Sequence, residues 1–325
     1  MRRREFLAFA AAAPLGAARA RAQTGVPVVG FLNPVSPDTY GFTAAAFREG
    51  LARAGFVEGR NVRIAYRWGR GDYGRLPALA RELAALNVAA IAATGDIASA
   101  RAAQAATRTI PIVFTIGADP VRHGLVASLA RPGGNTTGIH LFSSILSAKR
   151  IEFLVEMAPK VRRIALIMNP DNFTAEAEQQ QGLEGARALG REAFVVEARH
   201  PHEMDAAFSE IRRRAGDSYI TASDPLILDR RAEIVRFGQE NGLAGIGFVR
   251  QFADLGALAS YGPSIVWMYE RAGLYVGEIL KGAKPAELPV LQPTEFETVI
   301  NLKAAQALNL DPPPLLLARA TEIIE

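Results

Sequence analysis

Short continuous apolar runs alternate along the chain with longer segments of helical spacing. Val26–Leu32 is an apolar run with three valines, followed by Tyr40–Ala54, where Phe42, Ala46, Phe47 and Leu51 recur at helical intervals and Gly55 supplies a C-cap. Asn61–Trp68 places Val62, Ile64, Tyr66 and Trp68 at every second position, the period of a half-exposed strand. Helix is predicted at Leu76–Leu86 and Ile97–Ala106, and strand at Val88–Ala93, Ile110–Ile116 and Thr137–Leu141.

The alternation then restarts. Helices are predicted at Ile145–Met157, Glu176–Leu189, Met204–Arg213 and Leu226–Asn241, with strands at Ile164–Met168, Ala193–Glu197, Ser218–Thr221 and Gly245–Phe248. Continuous apolar strands between helices imply parallel sheets covered on both faces. Two successive runs imply two α/β lobes alike in pattern, with no sequence repeat between them. Ala257–Tyr261 reads as a further strand and Ile265–Leu280 as a long amphipathic helix. A proline-rich stretch, Lys281–Pro293, precedes a short strand at Val299–Leu302 and a short helix at Lys303–Leu308. Elements of this kind, arriving after both lobes are nearly complete, imply that the chain visits each lobe again and that several crossings form a hinge.

Composition changes the picture at the N-terminus. Arg2, Arg3 and Arg4 precede an apolar, alanine-rich run, Phe6–Ala18, and small residues of the A-x-A kind at Ala18, Ala20 and Ala22. That is the layout of an export signal, too short to span a bilayer, which takes about 20 residues. Arg3-Arg4 with Phe6-Leu7 is similar to a twin-arginine signal. Cleavage is expected after Ala22, or after Ala20. Five of the 37 basic residues and one of the 33 acidic residues lie in this segment, so the remainder carries 32 of each sign. A neutral mature chain lacks the basic surplus with which proteins displace counterions from nucleic acid, or bind anionic membranes. There is no cysteine, which excludes disulfides, thiolate chemistry, cysteine-ligated metals and an N-terminal lipid on cysteine. Roughly 300 remaining residues suit two domains.

Ligands of open α/β sheets bind beyond the carboxyl ends of the strands. Two facing lobes bring both sets of ends to one cleft. It should draw Asn33, Ser36, Thr94, Gly95, Asp96, Gly117 and Asp119 from the first lobe, and Asn169, Ser223, Asp224 and Phe248 from the second. Most have a plainer role available. Asn33-Pro34 is a common turn pair, while Asp119-Pro120 and Asp224-Pro225 are the pattern of an N-cap followed by proline. Thr94-Gly95-Asp96 closes a strand and opens a helix, where free backbone N–H groups attract a carboxylate while Asp96 pairs with an ammonium; Asp96 also serves as the cap of the same helix. Tyr40, Phe248 and Tyr261 are candidates to stack on a ring or to pack in the core.

Other motifs carry less. Gly69–Gly74 matches G-x-G-x-x-G between a strand and a helix, but follows the second strand rather than the first, and reads as a surface loop. His200 and His202 flank Pro201 without a visible third metal ligand, and His123 and His140 are isolated. No G-x-S-x-G, H-E-x-x-H or P-loop occurs. No cofactor, metal or catalytic residue is expected.

Several segments taken together resemble one family. They include Arg131-Pro132-Gly133-Gly134-Asn135 with Thr137-Gly138-Ile139, Ile110–Phe114, Asp119-Pro120-Val121, Ser260-Tyr261-Gly262, Val276–Gly282, Pro285 through Leu288-Pro289-Val290, and Ile300–Lys303 with Ala307-Leu308. Over nearly the whole mature chain they are similar to the ABC-transporter substrate-binding proteins related to binders of tryptophan and other aromatic amino acids. The resemblance implies a type 1 periplasmic-binding fold: two doubly wound parallel-sheet lobes joined by three crossings. The expected division is a signal at 1–22, a first lobe of 23–141 plus 262–284, and a second of 142–261 plus 285–325. It implies a soluble, monomeric periplasmic protein that closes on a small molecule and delivers it to an inner-membrane ABC permease, without catalysis. A ligand sensor for a membrane receptor and an exported enzyme are the alternatives. By position, Ser36, Thr94, Gly95, Asp119, Asn169 and Asp224 match the family's cleft loops. Asp96 stands where a smaller or hydroxyl residue is expected, and Phe248 near an expected tyrosine, so the expected ligand is an aromatic or other amino acid or a related carboxylate.

Overall fold

The computed structural model of the chain describes residues 25–141 and 146–325. The expected export segment 1–22 lies outside the described residues, as does Ile145, where the ninth element was expected to begin.

The first sheet is built from β1 (Val28–Asn33), β2 (Arg63–Trp68), β3 (Ala90–Ala93), β4 (Ile112–Ile116) and β5 (Thr136–His140), with α1 (Pro37–Arg53), α2 (Leu76–Ala85) and α3 (Ile97–Ala106) between them. Its order is β2-β1-β3-β4-β5 and every pairing is parallel. β3, β4 and β5 are wholly buried, β3 as an apolar run, β4 as one interrupted by Thr115 and β5 with Thr136, Thr137 and His140 among its residues, whereas β2 lies at the edge and is half-buried along most of its length. Phe31 gathers Phe47, Tyr66 and Trp68 around its ring at centroid distances of 5.4, 5.5 and 5.3 Å, which is why the apolar face of β2 points inward.

The second lobe contains β6 (Arg163–Met168), β7 (Glu192–Glu197), β8 (Ser218–Thr221), β9 (Ala244–Gly247), β10 (Ala259–Gly262), β11 (Glu297–Asn301) and β12 (Glu322–Ile324). Their order is β12-β11-β10-β9-β8-β6-β7. α4 (Ser147–Met157), α5 (Ala175–Ala188), α6 (Met204–Arg213), α7 (Pro225–Asp229), α8 (Arg231–Glu240) and α9 (Arg250–Asp254) connect them. β11 pairs antiparallel with β10 because the chain enters it from the other lobe. The single helix expected over Leu226–Asn241 is broken at Arg230 into α7 and α8. α9 and β12 were not anticipated; each is too short to show a period.

α10 (Ile265–Leu280) returns to the first lobe and packs on α1. The helices meet at glycine: a Cβ on Gly50 would lie 1.8 Å from the Glu270 carbonyl oxygen, and one on Gly273 would lie 2.1 Å from that of Phe47. Past α10 the chain runs along β5. The Thr137 hydroxyl donates to Leu288 O at 2.7 Å, Leu291 N donates to Gly138 O at 2.9 Å, and Val290 is buried in the first lobe's core. Residues 285–291 thus belong to the first lobe, and the last crossing falls after the expected boundary at 285. α11 (Leu302–Ala307) and α12 (Pro314–Arg319) complete the second lobe. The two sheets are joined three times: after β5, after β10 and before β11.

Candidate functional site

The carboxyl ends of the parallel strands of both sheets converge on one narrow cavity of about 30 Å³, a cleft nearly shut between the lobes. Gly95 and Gly117 line it from the first lobe, Ser223, Asp224 and Phe248 from the second, and the rings of Tyr40 and Tyr269 close it on the side of α1 and α10. A larger concavity, about 450 Å³, lies at the opposite end of the second sheet, where Leu243 and Leu258 lead into β9 and β10. The cleft is the better site, because there the strand ends of both lobes meet and polar and aromatic groups face each other.

The first-lobe wall is braced from behind. Asn33, fully buried at the end of β1, donates to Thr94 Oγ1 at 2.9 Å and to the Tyr269 hydroxyl at 3.0 Å, and its Oδ1 accepts from Val35 N at 3.1 Å. The Thr94 hydroxyl in turn donates to Leu32 O at 3.0 Å. Gly95 has φ +91°, a left-handed conformation that suits glycine, and its N–H bonds Thr115 Oγ1 at 3.0 Å. Ser36 caps α1 through Asp38 N. Asp96 caps α3, its Oδ1 accepting from Ala98 N at 2.7 Å. Asp119 stands apart: it is exposed and caps a turn by accepting from Val121 N and Arg122 N. Its placement follows from the proline after it, which favours a tight turn at the surface over a reach into the cleft.

The second-lobe wall is held by a buried network. Asp224 Oδ1 caps α7 through Leu226 N and Ile227 N, while its Oδ2 accepts from the amides of Asn172 at 2.7 Å and Asn169 at 3.3 Å. Arg150 and Glu178, both fully buried, form an ion pair at 3.4 Å. Glu178 also accepts from Ser223 N, Ser147 Oγ and Thr174 Oγ1. Phe248 is anchored by its N–H on Thr221 Oγ1. Tyr261 turns away from the cavity and stacks on Phe296 at 6.0 Å.

Burial dominates the electrostatics. It lifts the Asp96 carboxyl from 3.8 to about 7 and that of Asp224 to about 6, in the latter case against its four hydrogen bonds. It also pushes the Tyr40 and Tyr73 hydroxyls well above their ordinary value and that of Tyr269 to about 12. Burial raises Glu178 and lowers Arg150, against their mutual attraction. The cavity therefore holds one acidic group, Asp224, whose charged form a nearby cation would favour.

Contacts across the rim close the two lobes on each other. The Thr39 hydroxyl bonds Asp229, and Arg231 lies 5.6 Å above the Phe42 ring, both made possible by the break between α7 and α8. On the other side, Phe173 of the second lobe sits between Arg101, at 4.8 Å, and His123, at 5.5 Å, of the first. Gly71, in the loop that matched G-x-G-x-x-G, faces Pro201; the loop is a rim contact. His200 and His202 stack on each other at 5.4 Å, and no group of three or more potential metal-holding residues is found among the described residues. No helix among the described residues is long and apolar enough to cross a membrane.

Sequence reasoning missed Tyr269, Arg150, Glu178, Thr115 and Asn172. Tyr269 lies on the apolar stripe of α10 and reads as core. Arg150 and Glu178 sit in amphipathic helices where a charge reads as solvated, and only their convergence in space shows otherwise.

The chain matches the profile of the family described as ABC transporter substrate binding protein over residues 28–324. It is similar to a tyrosine-binding protein of Clostridioides difficile, at 27% identity over 264 residues, 81% of this chain and 75% of that protein. A conserved domain protein from Vibrio cholerae superposes with a TM-score of 0.83 at 26% identity, covering 92% of this chain and all of the other. An ABC domain in complex with L-Trp from Streptococcus pneumonia gives 0.82 at 22% identity with the same coverage.

Proposed function

The chain belongs to the ABC transporter substrate-binding protein family, and from that premise we propose that it is the extracytoplasmic solute-binding component of an importer, closing on an amino acid with an aromatic or comparable apolar side chain and passing it to a membrane permease. The observation that carries this reading is the cavity between the lobes. It sets the carboxylate of Asp224 and the hydroxyl of Ser223 beside the rings of Tyr40, Phe248 and Tyr269. The polar groups suit an ammonium and a carboxylate, and the rings suit an apolar or aromatic body. The tyrosine-binding relative supports the same ligand class.

Closure is the working step. A ligand in the cavity touches both lobes only when they are shut, so it stabilises the shut state by its differential contacts. The permease then reads the closed rim. The basic and apolar pattern of residues 1–22 supports export, and the absence of a basic surplus in the remainder speaks against a nucleic-acid partner. We read the protein as a periplasmic monomer without catalytic activity.

The test is thermal unfolding of residues 23–325 against amino acids and aromatic acids. A ligand that binds only the folded protein adds about 2.7 kcal/mol of stability at one hundred times its dissociation constant. A concentration-dependent rise with phenylalanine, tyrosine or tryptophan is expected. No rise with any amino acid would overturn the ligand class. Consumption of a ligand by the pure protein would overturn the assignment as a binding component.

A further inference from the structure

One fully buried cation reaches the carboxyl ends of two strands of the second lobe, β8 and β10. Arg150 donates from Nε to Tyr261 O at 3.0 Å, from Nη1 to Thr221 O at 3.5 Å, and from Nη2 to Ser223 Oγ at 3.1 Å. Its partner Glu178 accepts from Ser223 N at 2.9 Å. Ser223 is thereby tied at both its peptide and its side chain by the two halves of one ion pair. It is also the residue of this network that opens into the cavity.

The polarity of that arrangement is fixed by chemistry. A guanidinium has N–H groups only and cannot accept. Ser223 Oγ is therefore the acceptor towards Arg150, and its own proton must point elsewhere. Among the described residues, Ser223 Oγ donates no hydrogen bond to the protein. The next residue, Asp224, has both oxygens occupied by protein donors. The cavity thus presents, side by side, a hydrogen-bonded carboxyl group and a hydroxyl oriented to donate. A buried ion pair is a poor source of net stability, since desolvation of the two charges consumes most of their attraction. Its expense fits a role in holding geometry.

We infer that Arg150 is a positioning residue that orients the Ser223 hydroxyl as a donor into the cavity, so that the cavity selects ligands carrying a free carboxylate next to their ammonium over the corresponding amines. This rests on the amino-acid reading above and adds to it the residue that enforces carboxylate recognition. Arg150 acts through Ser223 and does not touch the ligand.

The test compares L-tryptophan and L-tyrosine with tryptamine and tyramine, which lack the carboxylate, by titration calorimetry. The wild type should prefer the amino acids. The double variant Arg150→Met with Glu178→Gln removes both charges together and leaves neither one buried alone. It should lose about tenfold in affinity for the amino acids, the loss of one hydrogen bond to a charged group, with amine affinity changed less than twofold. Ser223→Ala should behave in the same way, and combining the two should add nothing further. Arg150→Lys, which keeps the charge beside Glu178 but not the fork, should fold and lose the same discrimination, and it decides the matter if the double variant does not fold. Equal weakening of acids and amines in Arg150→Lys would show a purely structural clamp and overturn the inference. Equal affinity of the wild type for both series would also overturn it, while leaving the binding role in place. Binding of neither series by the wild type would remove the amino-acid reading and this inference together.

Discussion

Replacing Asp96 by asparagine should stabilise the ligand-free protein at pH 8. Asp96 is 5% exposed and caps α3, and burial lifts its carboxyl from 3.8 to about 7, with the charge of Asp224 adding to the effect. A folded-state value above the unfolded one means that the folded state holds the proton more tightly. Stability from this group is therefore fully present below pH 4 and is lost as pH rises through 7. The interval from 3.8 to about 7 spans about three powers of ten, or about 4 kcal/mol at 1.36 kcal/mol each. Asparagine caps a helix as well as aspartate does and carries no charge. We expect a gain of about 2–4 kcal/mol at pH 8 that shrinks through pH 6 and vanishes by pH 4. Urea unfolding at four pH values measures it. Asp224, raised to about 6, titrates in the same window, so the difference between the two curves reports Asp96 together with its repulsion by Asp224. An Asp96→Asn protein no more stable than the wild type at pH 8 would refute the reasoning, because it would mean that the buried carboxylate is fully compensated without ligand.

Phe173→Ala removes the ring held between Arg101 and His123. A contact of this kind is worth about 0.5–1 kcal/mol, so ligand dissociation measured by stopped flow should quicken about two- to fivefold. Gly50→Ala forces a Cβ against the Glu270 carbonyl at 1.8 Å and should cost about 1–3 kcal/mol or more by calorimetry as α1 and α10 separate. Asn172→Ala leaves Asp224 Oδ2 with Asn169 as its amide donor. It should destabilise by about 1–3 kcal/mol. It should also raise the Asp224 carboxyl further above about 6, so that the loss measured by urea unfolding is larger at pH 8 than at pH 5.

The architecture was legible because most of the buried strands are short, largely apolar runs set between segments of helical period. Ile97–Ala106, Met204–Arg213, Ser218–Thr221 and Ile265–Leu280 fall where the spacing puts them. The break at Arg230 was not legible, since the apolar stripe continues through it and the interruption is made by Asp229 and Arg231 reaching across to α1. Of the cleft residues, Gly95, Gly117, Ser223, Asp224 and Phe248 could be placed because strand ends point to ligands. Asn33, Thr94 and Asn169 lie one layer behind, where they hold their neighbours. Tyr269 comes from a helix that the sequence separates from its partner Asn33 by more than two hundred residues, a distance no local pattern spans.

The docking of α10 on α1 has a temporal meaning. The ribosome makes the first sheet first, yet the face that α10 and residues 285–291 cover stays open until β6 to β10 of the second lobe have been synthesised. The half of the molecule that is born first is roofed only after most of the other half has been made, and a chain halted after β10 carries one lobe with most of its own elements and another with an unroofed apolar flank. A nascent chain of this design has to be shielded or kept unfolded until its last sixty residues appear.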